Sequence, residues 1–381
     1  MPPVSYHSGQ FPPTTFDWPR LIPLIGPANA ALARYDGLLT AIPNPAVLIA
    51  PLLTHEAVLS SRIEGTQATM GEVLEYEAAG AMGSLDPTKQ EDIKEVLNYL
   101  EAMRQAIEEM QRLPLCNRLL KSSHATLLAG VRGHDKAPGR FRTIQNYIGM
   151  YASPIEDARF IPIAPEDLKS GMDRWEKYLH ETTDDVLIQL AVIHAEFESL
   201  HPFLDGNGRI GRMLIPLYLF DRKQLQYPMF YMSEYLEANR QEYYDRLLAV
   251  SRDGDWTGWC RFFLQALREQ ATQNEAKARK ILDLYQQKKV WIVEKTRSQH
   301  AIQALDFLFS TPIFKSPDFI EKSKIPDATA RRILTQISGE DGLIKTLRKS
   351  SGRRPTMYAF SKLLKIAEGG DLSRRSPVRN K

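Results

Sequence analysis

The chain has 381 residues, of which 43% are apolar and 25% are charged, as expected for a globular protein with two or three domains. No apolar run approaches the roughly 18 residues of a membrane-spanning helix, and the N-terminal segment lacks the basic and apolar regions of a signal peptide. Cys116 and Cys260 are the only cysteines, which excludes a disulfide framework and favours a cytoplasmic protein.

The net charge of +3 is unevenly distributed along the chain. Residues 321–381 contain fifteen Lys and Arg against six Asp and Glu, a charge of +9, so the first 320 residues carry −6. A basic end on an acidic body indicates a module that faces nucleic acid. A solvated charged tail is the alternative, and we favour it for residues 369–381.

Residues 1–112 predict an N-terminal region that is first extended and then helical. Residues 1–30 are rich in proline and turn formers, which predicts an extended arm along the surface. Residues 48–79 have a helical pattern that Gly65 and Gly71 interrupt. Further on, residues 90–112 repeat apolar side chains with the 3.6-residue period of an amphipathic helix.

Residues 113–270 form the second predicted domain, which is helical apart from one segment. In that segment, residues 138–163, short apolar runs flank a polar turn with proline, and we expect a β-hairpin. We expect the apolar helix over 208–221 to be buried, with a kink at Pro216. The other predicted helices of this part cover residues 117–130, 166–181, 184–200, 233–250 and 256–287.

The C-terminal part predicts a linker helix over 271–298 and a separate module over 299–368. Residues 300–309 predict a first helix, Ser316 is expected to cap a second, and Asp327 a third. The strand-like runs GLIKTL and TMYAF follow, separated by the basic stretch RKSSGRRP. Three helices followed by a hairpin with a basic tip predict a winged helix-turn-helix.

The segment HPFLDGNGRIGR, residues 201–212, combines the groups that nucleotide chemistry requires. His201 supplies a base whose ordinary pKa of about 6.5 suits neutral pH. Asp205 is a hard oxygen ligand, and Mg²⁺ needs one or two such carboxylates besides substrate phosphates. The glycines let the backbone approach a ligand, and a helix N-terminus after such a turn binds anions. Arg209 and Arg212 are three residues apart and share a helix face.

Each of these features also has a purely structural interpretation. His201 could cap a helix C-terminus, where a charged histidine is favourable. Asp205 could cap a turn, and the residues Gly206, Asn207 and Gly208 could form an Asx-type turn. The two arginines could be solvated surface charges, although the apolar helix that follows them argues against it.

The segment at 201–212 resembles the signature of the Fic family, HPFx[D/E]GNGRxxR, with a match at every fixed position. Residues 60–65, SSRIEG, resemble the family's inhibitory motif, [S/T]xxxE[G/N], with Ser60, Glu64 and Gly65 at the fixed positions. Residues 138–149, PGRFRTIQNYIG, are similar to the family's flap. The resemblance covers residues 1–270 and implies an all-α Fic core with a hairpin flap.

Most members with this signature transfer AMP from ATP to a protein hydroxyl. The resemblance therefore implies ATP and Mg²⁺ as cofactors, His201 as the general base and Asp205 as the metal ligand. The acceptor would be a Ser, Thr or Tyr hydroxyl of a target protein or of this chain itself. The other implied nucleotide-binding residues are Glu64, Gly149, Gly206, Asn207, Gly208, Arg209, Ile210, Gly211, Arg212, Tyr243 and Tyr244.

Three of these roles can be stated more closely. The amide of Asn207 is expected to contact the α- and β-phosphates, and Arg212 the γ-phosphate. Glu64, which would share a helix face with Ser60, is expected to form a bidentate ion pair with Arg212 and so to inhibit the enzyme. An ordinary surface carboxylate is the alternative reading of Glu64.

The aromatic pair Tyr243 and Tyr244 suits stacking on adenine, with core packing as the alternative. The flap, residues 141–163, is expected to dock the target by strand addition along 144–149.

Two other functions stay open at this point. The protein could be a DNA-binding regulator whose Fic core senses nucleotide, acting through the basic winged helix. It could also remove AMP from a modified protein, because a relative with an inhibitory glutamate can use that carboxylate to orient water. No membrane partner is expected, and a homodimer is a further open prediction.

Overall fold

The computed structural model describes the chain as two compact, mainly helical units. Unit 1 combines residues 1–37, 56–67 and 90–274, and unit 2 combines residues 38–55, 68–89 and 275–381. The described residues are 2–42, 44–79, 86–149, 154–339, 341–352 and 354–369. The predicted basic tail therefore lies outside the described residues, apart from Gly369. Within these ranges no helix is long and apolar enough to cross a membrane.

Sixteen α-helices and five short strands are assigned in the described ranges. The strands are β1 (Val4–Ser5), β2 (Phe160–Ile161), β3 (Ile313–Lys315), β4 (Lys345–Arg348) and β5 (Met357–Ala359). The first eight helices are α1 (Trp18–Thr40), α2 (Pro45–Leu48), α3 (Ala50–Ile63), α4 (Met70–Ala79), α5 (Pro87–Glu109), α6 (Asn117–Leu127), α7 (Pro165–His180) and α8 (Val186–Leu200). The other eight are α9 (Asn207–Asp221), α10 (Ser233–Ala238), α11 (Arg240–Asp253), α12 (Trp256–Thr296), α13 (Ala301–Ser310), α14 (Ser316–Lys322), α15 (Asp327–Ile337) and α16 (Ser361–Ala367).

Helix α8 is the centre of unit 1. Of its 15 residues 13 are buried, and most of these carry apolar side chains, which lie on every side of the helix. The Asp185 carboxylate caps its first turn by accepting from the backbone amides of Leu187 and Ile188, both at 2.9 Å. The indole N–H groups of Trp175 and Trp259 donate to carbonyls of α8 at 2.9 and 2.7 Å. Packing from α7 and α12 therefore fixes the helix that leads into the 201–212 segment.

Helix α9 follows that segment and is buried, as predicted. It contains 12 buried residues out of 15 and continues through Pro216. Helix α12 is one helix of 41 residues that runs through the predicted linker.

The prediction of an extended arm over residues 1–30 is wrong beyond residue 17. Helix α1 begins at Trp18 and continues through Pro23 and Pro27, although an internal proline costs about 3 kcal/mol. The helix forms because it buries an apolar face, with Leu21 and Leu32 at most 3% exposed. The extended residues before it are not loose, since β1 pairs in parallel with β2.

The predicted flap hairpin is reduced to one antiparallel bridge between Ile148 and Phe160, while residues 150–153 lie outside the described ranges. The backbone amide of Ile148 donates to the carbonyl of Phe160 at 2.9 Å, and the backbone amide of Phe160 donates to the carbonyl of Ile148 at 3.0 Å. Before the bridge, side chains form the hydrogen bonds that backbone groups form in a regular strand pair. The side-chain amide of Gln145, for example, donates to the carbonyl of Pro162 at 3.1 Å.

The predicted interruption at Gly65 is confirmed, whereas the one at Gly71 is wrong. Helix α3 ends at Ile63, and Gly65 has a φ of +103°, which glycine adopts without strain. Gly71 lies inside α4, where it continues the helix.

The C-terminal helices and hairpin follow one another in the predicted order. The strands form an antiparallel sheet in the order β3-β5-β4. Neither β3 nor α16 was predicted, because three or seven residues are too few to reveal a period. The expected caps are displaced by one residue, since the N-caps of α14 and α15 are Lys315 and Pro326.

Candidate active site

His201 terminates α8 in the left-handed conformation, with φ 47° and ψ 60°. Its Nδ1 lies 3.3 Å from the carbonyl oxygen of Glu198, which can only accept, so Nδ1 carries the proton and Nε2 has the free lone pair. Burial lowers the pKa of His201 to about 4, and the Arg142 charge acts in the same direction. The expectation of an ordinary pKa was therefore wrong, and His201 is neutral at pH 7.

The loop after His201 is shaped by two side chains that bond to its backbone. The amide of Asn207 accepts from the N–H of Phe203 and donates to its carbonyl, both at 2.8 Å. The ring of His124 stacks on Phe203 and donates from Nε2 to the carbonyl of Asp205 at 2.9 Å. Asn207 is 1% exposed, and its side-chain amide is bonded to the backbone of this loop. This is contrary to the expectation that the amide contacts phosphate.

The N-terminus of α9 supplies backbone donors. Gly206 is its N-cap with a φ of +77°, and the first intrahelical bond runs from the amide of Ile210 to the carbonyl of Gly206. The amides of residues 207–209 precede that bond and can donate to an anion. A Cβ at Gly208 would meet the Glu64 carboxylate, and one at Gly211 would meet the Glu198 carboxylate. A side chain at either position would therefore displace that carboxylate.

Asp205 carries a carboxylate that is 37% exposed. Its Oδ1 accepts from the amide of Gly206 at 2.5 Å and lies 3.7 Å from Arg209 Nη2. In the described part of the chain no three His, Cys, Asp or Glu residues form a metal cluster. A single accessible hard oxygen fits Mg²⁺ when substrate phosphates complete the coordination.

Arg209 is buried and paired with α5. Its Nη1 lies 3.3 Å from Glu95 Oε2, which also accepts from Thr66 Oγ1 at 3.0 Å and from Arg132 Nη2 at 3.2 Å. Burial raises the pKa of Glu95, although the two arginines act against that rise. The structure thus holds Arg209 against the N-terminal region.

Arg212 is 2% exposed and is bound by the segment at 60–65. Its Nη2 donates to Glu64 Oε1 at 2.6 Å and to the carbonyl of Ser60 at 2.9 Å, and its Nε donates to Ser60 Oγ at 2.9 Å. The expected bidentate pair is therefore replaced by a single carboxylate oxygen and two Ser60 oxygens. Glu64 does not share a helix face with Ser60, because it lies in the turn after α3.

The charges of this ion pair depend on each other. Burial works against ionisation of Glu64, but the Arg212 guanidinium outweighs it and holds the pKa of Glu64 below its usual value. Likewise burial acts against the charge of Arg212, yet Glu64 raises its pKa. The pair is therefore fully ionised at neutral pH.

A cleft of about 610 Å³ brings part of the predicted site together. It is lined by the predicted residues Glu64, Gly149, His201, Gly208, Arg212, Tyr243 and Tyr244. The lining does not include Ser60, Gly65, Asp205, Gly206, Asn207, Arg209, Ile210 or Gly211, all of which are described residues.

Comparison with known proteins identifies the family. The family model for the Fic/DOC family N-terminal region matches residues 22–108, and that for the Fic/DOC family matches residues 114–219. The two matches together cover just over half of the chain. The chain belongs to the Fic/DOC family.

Curated relatives of this Fic protein match it over part of their length. The protein adenylyltransferase Fic of Drosophila melanogaster is 32% identical over 127 residues, which are 32% of this chain and 23% of that protein. The protein of the same name from Drosophila grimshawi is 28% identical over 207 residues, which are 52% of this chain and 38% of that protein. The chain thus spans well under half the length of these relatives.

Solved structures share the fold. A Fic family protein from Desulfovibrio desulfuricans G20 has a TM-score of 0.57 at 20% identity, covering 91% of this chain and 97% of that chain. Fic-1 (aa134–508) from C. elegans has a TM-score of 0.50 at 17% identity, covering 69% and 72%. The predicted fold class, a mainly helical Fic fold, is confirmed.

The two tyrosines of this Fic protein differ in their surroundings. Tyr243 is 1% exposed, and its hydroxyl donates to Nε2 of the buried His194 at 2.9 Å. It also packs on Trp259 and Phe262, so core packing accounts for most of its surface. Tyr244 is half-buried, and Arg240 lies over its ring at 5.7 Å from the centroid.

Several residues of the site were not predicted. Glu198 lines the cleft three residues before His201, and burial raises its pKa to about 7 against the opposing effect of Arg212. Its spacing of i, i+3 on α8 was a signal that could have been found. Glu95, His124 and Arg142 gave no such signal, because they reach the site from distant parts of the chain.

Proposed function

We propose that this protein is a protein adenylyltransferase that transfers AMP from ATP to a protein hydroxyl and is inhibited by its own Glu64. The observation that carries this proposal is one cleft in which a neutral histidine, an arginine and the carboxylate paired with that arginine meet. The names of the curated relatives support the same activity.

In the proposed reaction the amides at the start of α9 bind phosphate oxygens of ATP, and Arg212 binds the γ-phosphate. The acceptor hydroxyl gives its proton to Nε2 of His201 as its oxygen attacks the α-phosphorus. A new oxygen–phosphorus bond forms, the bond to the β-phosphate oxygen breaks, and pyrophosphate leaves. Held by Asp205 and the phosphates, Mg²⁺ would supply positive charge to the leaving pyrophosphate.

Inhibition follows from competition for Arg212. Its Nη2 already donates to Glu64 and to the carbonyl of Ser60. A γ-phosphate would need the same donor, so ATP and the Glu64 carboxylate exclude each other at this guanidinium. ATP could then bind only in a pose that does not react.

The acceptor segment is proposed to dock on the flap. Both backbone groups of Ile148 bond to the strand that contains Phe160, so a further strand would add on the opposite edge of residues 144–149. Ile144 is 61% exposed and would supply apolar contact there. Backbone pairing of this kind accommodates many sequences and therefore leaves the acceptor's identity open.

The experiment compares the wild type with Glu64→Gly and with the double variant that also carries His201→Ala. Each is incubated with cell lysate and ATP labelled at the α- or the γ-phosphate. We expect strong α-label transfer by Glu64→Gly, weak transfer by the wild type and none by the double variant. Transfer of the γ-label would indicate a kinase, and equal labelling by wild type and Glu64→Gly would contradict autoinhibition.

Removal of AMP is a second candidate, favoured by the location of the Glu64 carboxylate in the same cleft as His201. A carboxylate there could orient a water molecule towards a phosphodiester. If the wild type removes label that Glu64→Gly has attached, and Glu64→Gly does not, removal is the principal activity.

DNA binding is a third candidate, favoured by the hairpin of unit 2. All four residues of β4 are exposed, including Lys345 and Arg348. One basic residue of this module, Arg332, bonds to the carbonyl of Thr296 and thus has an internal role. A gel shift that salt weakens, and that Lys345→Gln with Arg348→Gln abolishes, would support DNA binding. Its absence at low salt would remove this candidate.

A further inference from the structure

Arg142 is a buried arginine at the base of the flap. It is 3% exposed, and within the described residues no carboxylate lies at ion-pair distance from it. Burying a charge without a partner is costly, so other polar groups must stabilise this guanidinium. Burial lowers the pKa of Arg142 to about 10, which leaves it charged at neutral pH.

Backbone carbonyls take the place of the missing carboxylate. Nε of Arg142 donates to the carbonyl of His201 at 3.0 Å, and Nη2 donates to the carbonyls of Leu200 at 3.3 Å and Ile163 at 2.5 Å. Nη1 donates to the carbonyl of Ile144 at 3.2 Å. Two of these acceptors lie at the C-terminal end of α8, where the helix dipole also attracts a cation.

The same part of the flap holds the residues after His201. The amide N–H of Arg142 donates to the carbonyl of Pro202 at 2.9 Å. The side-chain amide of Asn146 donates to the carbonyl of Phe203 at 3.0 Å and approaches that of His201 at 3.4 Å. Four consecutive carbonyls, those of residues 200–203, therefore each accept a hydrogen bond from Arg142 or Asn146.

This set of bonds acts on a strained backbone. A non-glycine residue in the left-handed region costs roughly 1–2 kcal/mol, and His201 is in that region. The conformation persists only where the surroundings impose it, and the four bonded carbonyls provide that constraint. The direction of the His201 imidazole depends on the same backbone angles.

We propose that Arg142, with Asn146, is the positioning residue that holds His201 in its reactive geometry. The proposal rests on the proposed function, because it assumes that His201 is the general base. Arg212 and the amides of α9 would bind ATP, and neither is bonded by the two flap side chains. Loss of Arg142 should therefore slow the chemical step and leave ATP binding nearly unchanged.

The test uses the full chain with Glu64→Gly as the active parent. Arg142→Gln is expected to lower kcat by about 100-fold, the effect of a misplacement of about 1 Å, with KM for ATP within about twofold. Asn146→Ala should lower kcat by roughly tenfold at most, with the same unchanged KM. Arg142→Lys should recover part of the loss, since its ammonium can still donate to the end of α8. Arg140→Gln, an exposed arginine two residues away, is the matched control and should have no effect.

A second measurement does not depend on activity. In protein labelled at histidine, the NMR signal of His201 is identified by its loss in His201→Ala. We expect Arg142→Gln and Asn146→Ala to shift and broaden this signal, and Arg140→Gln to leave it unchanged. Far-UV circular dichroism and thermal melting show whether each variant is folded.

The outcomes separate this proposal from the proposed function. A rise in KM at unchanged kcat, or an unchanged His201 signal in folded Arg142→Gln, overturns the positioning role. If Arg142→Gln does not fold, Asn146→Ala decides, and unchanged kcat and signal there overturn the proposal. If the Glu64→Gly parent transfers no α-label, the proposed function has failed, and the NMR signal alone decides whether Arg142 orients His201.

Discussion

The ion pair between Glu64 and Arg212 can be tested for how it inhibits, by comparing Glu64→Gln with Glu64→Gly. Two unit charges about 4 Å apart at an effective dielectric constant near 20 interact with roughly 4 kcal/mol. The Glu64 side chain is 33% exposed and Arg212 is 1% exposed, so water screens part of this energy. We take about 2–3 kcal/mol for the pair.

The two variants remove different parts of this interaction. Glu64→Gly removes all of it, so we expect kcat/KM for AMP transfer to rise by roughly 30- to 150-fold. Glu64→Gln keeps the shape and a neutral hydrogen bond worth about 1 kcal/mol, so its rise should be roughly 5- to 30-fold. The assay is the initial rate of α-label transfer over a range of ATP concentrations. Glu91→Gln, at an exposed position on α5, is the control and should match the wild type.

The glutamine variant separates competition by charge from simple obstruction. If the side chain only occupied space, Glu64→Gln would obstruct as well as glutamate and would stay at the wild-type rate. That result, with a high rate for Glu64→Gly, would refute the electrostatic reasoning. Wild-type rates for both variants would refute the inhibitory role altogether.

Three further predictions concern the buried polar groups around the site. Glu95→Ala leaves the buried Arg209 with only the more exposed Asp205 carboxylate, 3.7 Å away, and we expect the free energy of unfolding in urea to fall by about 3 kcal/mol. Burial lowers the pKa of His124 in the folded protein to about 4. As the pH falls below about 6.5, His124 binds a proton in the unfolded chain but not yet in the folded protein. The free energy of unfolding therefore decreases between pH values of about 6.5 and about 4. Between pH 7 and pH 5, His124→Gln should therefore lose about 2 kcal/mol less unfolding free energy than the wild type. Tyr243→Phe leaves Nε2 of His194 without its donor and should cost about 1–3 kcal/mol in the same titration.

Each of these predictions has a control. Glu91→Ala should change the unfolding free energy by no more than about 0.5 kcal/mol, and an equally small change for Glu95→Ala would contradict the buried pair. Parallel pH profiles for wild type and His124→Gln would show that His124 does not titrate as described. Tyr244→Phe, at the half-buried neighbour, should be nearly neutral, and equal effects of both tyrosine variants would contradict the specific bond to His194.

The sequence by itself determined the features that depend on neighbouring residues. Apart from α1, most helices of unit 1 and the order of elements at the C-terminus follow from apolar periods within a few turns. The segment at 201–212 is contiguous, so every fixed position of the Fic signature can be compared directly in the sequence. The pairing of Glu64 with Arg212 was also anticipated, because each residue belongs to a short motif that the family resemblance connects.

Only the tertiary structure decided how the polar groups of the site are satisfied. It assigned the amide of Asn207 to the loop, Arg209 to Glu95 on α5, and Tyr243 to His194. It also lowered the pKa of His201 through burial, which no pattern of neighbours reveals.

Arg142 shows most clearly why the sequence does not reveal such contacts. In the sequence it is one of several arginines, and its carbonyl partners at residues 200 and 201 lie 58 and 59 positions away. Every residue has a backbone carbonyl, so the residue type does not indicate which carbonyl will accept a hydrogen bond. Which carbonyl meets which buried donor is fixed by the packing of the flap against α8, and therefore appears only when the chain is folded.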